Sequence, residues 1–257
     1  IVTAVATLSD VDSTQSLSST YTWLLNSVPV QSGISNSLEG AVFVKGDIVQ
    51  VEVTPYDGID YGTPLLSSAI VIGNTDPSNI SSTIVSSDNF YNDSTLTCSA
   101  TADDLDVDDG VDTLSYSYTW STGDTGDSIQ LDGSLLPGDS VSCEATASDG
   151  TTTISNTTTE TIGNRAPSVT ATVTDTVTAV TGSVTCTESS SDLDGTTPTI
   201  SYAWTISGNP MSETSNVLTG PFDLDEVITC TVMADDGITI DSSSASVTVS
   251  NTTPVVI

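Results

Sequence analysis

The sequence predicts an all-β chain of three tandem antiparallel β-sandwich repeats of about 90 residues each, and three observations predict it. The first is alternation. Leu96, Cys98 and Ala100, then Tyr116, Tyr118 and Trp120, then Val141, Cys143 and Ala145 place apolar side chains at every second position, the period of a strand with one buried face. The second is recurrence. Ser183–Thr187, Ser201–Trp204 and Val227–Thr231 repeat those stretches downstream, and Val2–Ala4, Tyr21–Trp23 and Val49–Val53 repeat them upstream. The third is a shared turn: Asp57-Gly58, Asp149-Gly150 and Asp236-Gly237 close the last stretch of each copy. A period of this length marks an array of similar domains rather than one large domain.

The order cysteine, tryptophan, cysteine, with about twenty residues between successive members, is similar to strands B, C and F of an immunoglobulin-type sandwich. With TLTCSATADDLD (95–106), SYSYTW (115–120), PGDSVSCEATASDG (137–150) and the linker GNRAPSV (163–169), the chain resembles the tandem Ig-like and PKD-like repeats of large bacterial and archaeal surface proteins. The resemblance covers essentially the whole chain and is one of architecture. It implies Ig-like sandwiches in a rod, an extracellular or cell-surface location, and a structural or adhesive role in a filament, stalk or adhesin. The same architecture also serves as a carbohydrate-binding or spacer module of secreted enzymes. Two departures stand out. Val141 and Ile228 occupy the place of the tyrosine two residues before the second Ig cysteine, and Trp120-Ser-Thr-Gly-Asp124 echoes the PKD signature only loosely. At B and F positions, the four cysteines are expected as the disulfides Cys98–Cys143 and Cys186–Cys230, against the alternative of four buried thiols. Ala4 and Val51 take the cysteine places in the first repeat, which has no bridge.

In order along the chain, repeat 1 is expected over 1–75. It opens at strand B, passes an Asp10-Val-Asp12 loop to strand C at Tyr21–Leu25, turns in a hairpin near Gly33, and continues through strand F at Ile48–Thr54 to a last strand over about Leu65–Ile72. It has no strand A. Pro77 in the linker Gly73–Pro77 cannot continue a central strand. Repeat 2, over 76–165, is complete, with A around Ile80–Ser86, B at Ser94–Ala102, C at Leu114–Ser121, E at Ser128–Leu131, F at Ser140–Ala147 and G at Thr152–Ile162. Its turns fall on Gly123-Asp124, Asp132-Gly133 and Pro137-Gly138-Asp139. Repeat 3, over 166–257, carries A at Val169–Val173, B at Gly182–Thr187, C at Thr199–Ile206, F at Val227–Ala234 and G at Ser243–Ser250. Asn251–Ile257 is then a third copy of the linker with the opening of another strand A. No stretch has the period of an amphipathic helix.

Composition narrows the function classes. Two Lys+Arg, Lys45 and Arg165, face 34 Asp+Glu and no His, for a formal charge of −32. That field excludes nucleic acid or anionic lipid bound through a basic patch and suits a salty exterior where ions screen self-repulsion. No apolar run reaches the roughly 18 residues of a membrane-spanning helix. Without His, with one Lys and with every Cys spoken for, triad, Cys–His and phosphate-cradle chemistry lack their parts. The chain is therefore read as no enzyme, with no catalytic residue. A sugar-binding reading would need Trp23, Trp120 or Trp204 exposed on a flat face, whereas all three fall at the core position of strand C.

The acids cluster where B–C and F–G loops meet the preceding repeat: Asp10 and Asp12; Asp103, Asp104, Asp106, Asp108 and Asp109; Asp192 and Asp194. Calcium, which takes six to eight hard oxygen ligands, is a candidate at two such poles. One would use Asp76, Asp104, Asp106 and Asp149, the other Asn164, Asp192, Asp194 and Asp236. Solvated loop acids, with Asp-Gly present for turn geometry, are the equal alternative. Asn79, Asn92, Asn156 and Asn251 head N-x-Ser/Thr sequons and are candidate glycosylation sites.

The ends suggest self-association. Repeat 1 leaves a sheet edge beside Val2 and Ala4 that is prone to pair with another chain, and Val255, Val256 and Ile257 could fill it from a second copy. A contact of that kind does not close on itself and propagates a head-to-tail homopolymer. The competing expectation is that 1–257 is a window on a longer, processed chain. Surface glycans are a further expected partner.

Overall fold

The computed structural model describes residues 1–11, 15–108, 110, 112–174, 176–178 and 182–254. Asp12, Asp109 and the proposed pairing segment Val255–Ile257 lie outside the described residues. The chain folds as tandem Ig-like β-sandwiches, each with its own apolar cluster.

The central repeat shows the plan. Strands β8 (Ser78–Ser86), β9 (Thr95–Asp103) and β11 (Ser128–Gln130) form one sheet in the order β11-β9-β8; β10 (Ser115–Trp120), β12 (Ser140–Ser148) and β13 (Thr153–Thr161) form the other in the order β10-β12-β13. Strict alternation of burial along β12 turns Val141, Cys143, Ala145 and Ala147 into the interface, as the apolar parity requires. Cys98 of β9 is bonded to Cys143 of β12, with 6.5 Å between Cα atoms, so the bridge ties one sheet to the other. Trp120 is buried beside it, and its indole N–H donates to the Gly126 carbonyl at 2.9 Å. That bond lets a large ring with one polar edge sit in the core at no desolvation cost.

Repeat 3 follows the plan with additions. β14 (Ser168–Val173), β16 (Ser183–Ser191) and β19 (Val217–Thr219) form one sheet. β15 (Val177–Thr178), β17 (Thr199–Ile206), β18 (Asn209–Pro210), β20 (Val227–Asp235) and β21 (Ile240–Ser250) form the other, in the order β15-β21-β20-β17-β18. β15 runs parallel to β21, so the strand that opens the repeat contributes to both sheets. Cys186 is bonded to Cys230, 6.3 Å apart at Cα, and the Trp204 indole donates to the Ser215 carbonyl at 2.9 Å.

Repeat 1 is the sparse copy. β1 (Val2–Thr3) pairs with β4 (Ser37–Leu38), while β2 (Ser18–Leu25), β3 (Val28–Gly33), β5 (Ile48–Tyr56), β6 (Leu65–Leu66) and β7 (Ile70–Val71) make the second sheet. Its fully buried cluster holds four residues, Trp23, Leu38, Val49 and Val51, against ten and twelve in the other two. The hairpin does not turn near Gly33 as expected. It turns at Asn26-Ser27, both at positive φ (50° and 68°), a two-residue connection whose twist suits the flanking strands. The expected last strand is split into β6 and β7, both on β5, and one helical turn, α1 (Leu105–Asp108), interrupts the second B–C loop. Among the described residues no helix is long and apolar enough to cross a membrane.

Candidate functional site

The polar residues concentrate at the two junctions between repeats, and the same contacts build both. Each linker carries an asparagine directly after its glycine, and each asparagine donates its Nδ2 to the aspartate of the next repeat's F–G turn: Asn74 to Asp149 Oδ2 at 2.9 Å, Asn164 to Asp236 Oδ2 at 3.1 Å. The residue after it donates its backbone N–H to an aspartate of the B–C loop, Thr75 to Asp106 Oδ2 at 2.7 Å and Arg165 to Asp194 Oδ2. The other carboxylate oxygen of each F–G aspartate closes its own turn. Asp149 Oδ1 accepts from Thr151 and Thr152 N–H at 2.7 and 2.6 Å, and Asp236 Oδ1 from Ile238 and Thr239 N–H at 2.7 and 2.6 Å.

Those donors explain the electrostatics. Chiefly the Thr239 backbone N–H, aided by Ile238 and Asn164, holds the Asp236 carboxyl down at about 2, and the Thr152 N–H with the Asn74 amide holds Asp149 well below the usual carboxylate range. Both charges are thus fixed where a linker needs an acceptor.

The chain's two cations are both at these junctions. Lys45, from repeat 1, donates to the Asn74 amide oxygen at 2.6 Å and pairs with Asp112 in the second B–C loop, which raises its pKa. Arg165 bonds Asp194 Oδ1 through Nε at 2.8 Å, Asp93 through both terminal nitrogens at 3.2 and 2.9 Å, and the Asn92 amide oxygen at 2.8 Å, with its guanidinium carbon 4.5 Å from the Tyr91 ring centre. Asp194 is fully buried, so the guanidinium neutralises a charge that water cannot reach. Asn92 completes the joint by donating to the Asp194 backbone carbonyl at 3.0 Å.

The eight residues expected at the poles therefore do gather there, four at each junction, but as hydrogen-bond acceptors and donors. Asp104 Oδ1 accepts the Asp106 N–H at 2.9 Å, Asp76 accepts from Thr152 Oγ1 at 3.0 Å, and Asp192 accepts the Asp194 N–H at 2.8 Å and the Thr196 hydroxyl. Among the described residues no three acidic, histidine or cysteine side chains are grouped so as to hold a metal. Two acceptors at these poles, Asp104 Oδ2 and Asn164 Oδ1, are buried with no donor among the described residues. Of the sequons, Asn92 is 2% exposed, with its amide Nδ2 on the Asp194 carbonyl and its Oδ1 on the Arg165 guanidinium. Asn156 is half-buried with its amide on Ser82 Oγ, while Asn79 and Asn251 are exposed. Trp23, Trp120 and Trp204 are 1–2% exposed and offer no flat face to a sugar.

In repeat 1, among the described residues, the F–G turn is closed by Asp57, whose Oδ1 accepts the Ile59 and Asp60 N–H groups at 2.7 Å. Where strand A packs in the other copies, an open apolar groove of about 600 Å³ runs between the Val2–Ser9 segment, β5 and the β6–β7 stretch. Val2 and Ala4 lie on its wall, half-covering the cluster beneath.

No known protein family and no curated protein matches the chain. Solved structures that resemble it include FN1–FN3 domains of chicken CNTN1, 7% identical with a TM-score of 0.26, covering 91% of this chain and 89% of that one. The three N-terminal domains of the bacteriophage RB49 Highly Immunogenic Outer Capsid protein are 13% identical with a TM-score of 0.28, over 92% and 89%. Drosophila OTK extracellular domains 3–5 are 11% identical with a TM-score of 0.28, over 94% and 88%. The Ig-like class of this chain stands on its own strand order and cores.

Proposed function

We propose that the chain is a structural and adhesive extracellular repeat array, part of a surface filament, stalk or adhesin, whose units are joined head to tail. The observation that carries this reading is the duplicated junction, in which an asparagine, a backbone N–H and a cation hold each linker to the repeat after it. Nothing in such an arrangement serves turnover, whereas it fixes the relation of consecutive repeats, which is what an extended array needs. Disulfides across two cores and an acidic surface support an oxidising, saline exterior.

The head-to-tail contact is strand addition. The tail Val255–Ile257 of one copy enters the groove beside Val2 and Ala4 of the next, supplying the strand that β8 and β14 supply in the other repeats. Sedimentation of the 257-residue chain beside one lacking Pro254–Ile257 tests it: concentration-dependent polymers only with the tail are expected, and equal polymerisation rules tail exchange out. Calcium belongs to this reading as a ligand of the pole between repeats 1 and 2, supported by Asp104 Oδ2, which has no donor among the described residues. A melting temperature that rises with added calcium and falls with chelator is expected, and an unchanged one removes the ion.

A further inference from the structure

The two junctions share a backbone plan and differ in what meets their buried carboxylates. Asp104 and Asp106 of the second repeat correspond to Asp192 and Asp194 of the third, six and eight residues past the B-strand cysteine in each copy. In both, the first aspartate accepts the N–H of the second through Oδ1, at 2.9 and 2.8 Å, and the second accepts the linker N–H through Oδ2. The remaining two oxygens differ. Between repeats 2 and 3, Asp192 Oδ2 takes the Thr196 hydroxyl and Asp194 Oδ1 takes the Arg165 guanidinium. Between repeats 1 and 2, neither Asp104 Oδ2 nor Asp106 Oδ1 has a donor among the described residues, although the two residues are only 3% and 4% exposed. The sequence shows why: Thr75 stands where Arg165 stands, directly after the linker asparagine, and Asp108 stands at the place of Thr196. Lys45 does not make up the difference, because its ammonium is engaged by Asp112 and the Asn74 amide oxygen. Asp76, where the second linker has Ala166, adds a further carboxylate.

We propose that Arg165 is the built-in cation of the junction between repeats 2 and 3, and that the junction between repeats 1 and 2, with Thr75 in its place, takes a calcium ion on Asp104 Oδ2 and Asp106 Oδ1 instead. A buried carboxylate is strongly disfavoured until a positive charge meets it, so a cation that the linker supplies at one junction comes from solution at the other. The inference rests on the calcium reading above and deepens it, since it names what excludes the ion from the other pole. Two carboxylates are fewer than a tight calcium site brings. Water therefore completes the shell, and the dissociation constant falls in the weak range of extracellular modules, roughly 0.1–1 mM.

The test is calorimetric titration of the 257-residue chain with calcium chloride at physiological salt, where one site is expected. Asp104→Asn removes a charged ligand and is expected to weaken binding about tenfold or more; Thr75→Arg, which leaves every carboxylate in place, is expected to weaken it as much. Arg165→Thr is expected to melt at a lower temperature and to recover with added calcium more than the parent chain does. Absence of binding by the parent chain overturns the exchange and the calcium reading together. Binding lost in Asp104→Asn but unchanged in Thr75→Arg overturns the exchange of arginine for ion and leaves the calcium reading standing, as does an Arg165→Thr loss that calcium leaves untouched. Binding unchanged in both Asp104→Asn and Thr75→Arg overturns the site. Thr157→Arg puts the same charge on the exposed face of β13, and an equal loss there assigns the effect to net charge and overturns the exchange.

Discussion

Arg165 Nε donates to Asp194 Oδ1 at 2.8 Å, and that aspartate has no exposed surface at all. Removing the guanidinium therefore strands a buried carboxylate. Arg165→Ala is expected to cost about 3–5 kcal/mol, the range for breaking a buried pair from one side. Arg165→Lys should recover only part, since an ammonium cannot span Asp194, Asp93 and Asn92 at once. Urea denaturation followed by circular dichroism measures both; a loss below about 1 kcal/mol would show that the joint does not depend on this charge.

Acid should release the junctions in a defined order. Asp236 has a folded pKa of about 2, below its unfolded value near 4, so its contribution is complete above about pH 4 and is lost as pH falls toward 2. Asp149 is depressed further and lets go later. Hydrogen exchange at Thr239 and Thr152 across pH 2–5 checks this, with Thr239 expected to lose protection first.

The bridges should separate repeat 1 from the rest. Each closes a loop of about 45 residues and stabilises its repeat by roughly 2–4 kcal/mol. Calorimetry under reducing conditions should lower the transitions of repeats 2 and 3 and leave that of repeat 1 in place.

Two linker glycines should behave differently. A Cβ on Gly163 would meet the Asn89 carbonyl oxygen at 2.6 Å, backbone that cannot step aside, whereas a Cβ on Gly73 meets nothing within 4 Å. Gly163→Ala is expected to destabilise by about 1–3 kcal/mol and Gly73→Ala to be neutral, both read by thermal melting.

The sandwiches were legible because their signal is periodic and local: apolar parity in β9, β10 and β12 and the Cys–Trp–Cys order need no tertiary knowledge. The predicted C strand Thr199–Ile206 coincides with β17. Short strands such as β15, β18 and β19 were not legible, since two or three residues carry no period and form only because a neighbour offers an edge. At the junctions, sequence grouped the right carboxylates yet gave no hint of what satisfies them. Thr75 and Arg165 act through backbone N–H groups, which have no sequence signature. Asn92 carried a sequon that concealed a buried amide. The one available signal was that one of the two cations of so acidic a chain, Arg165, stands within a linker.

The placement of the indoles has a photophysical consequence. Trp120 is paired across the sheet with Cys143 and Trp204 with Cys230, so each ring lies against a disulfide, which quenches indole emission by accepting an electron. Trp23 faces Val51 instead. The native indole emission of the chain is accordingly weighted toward Trp23 of repeat 1, the repeat with the open groove, and an occupant settling over that core would shift it without any dye attached.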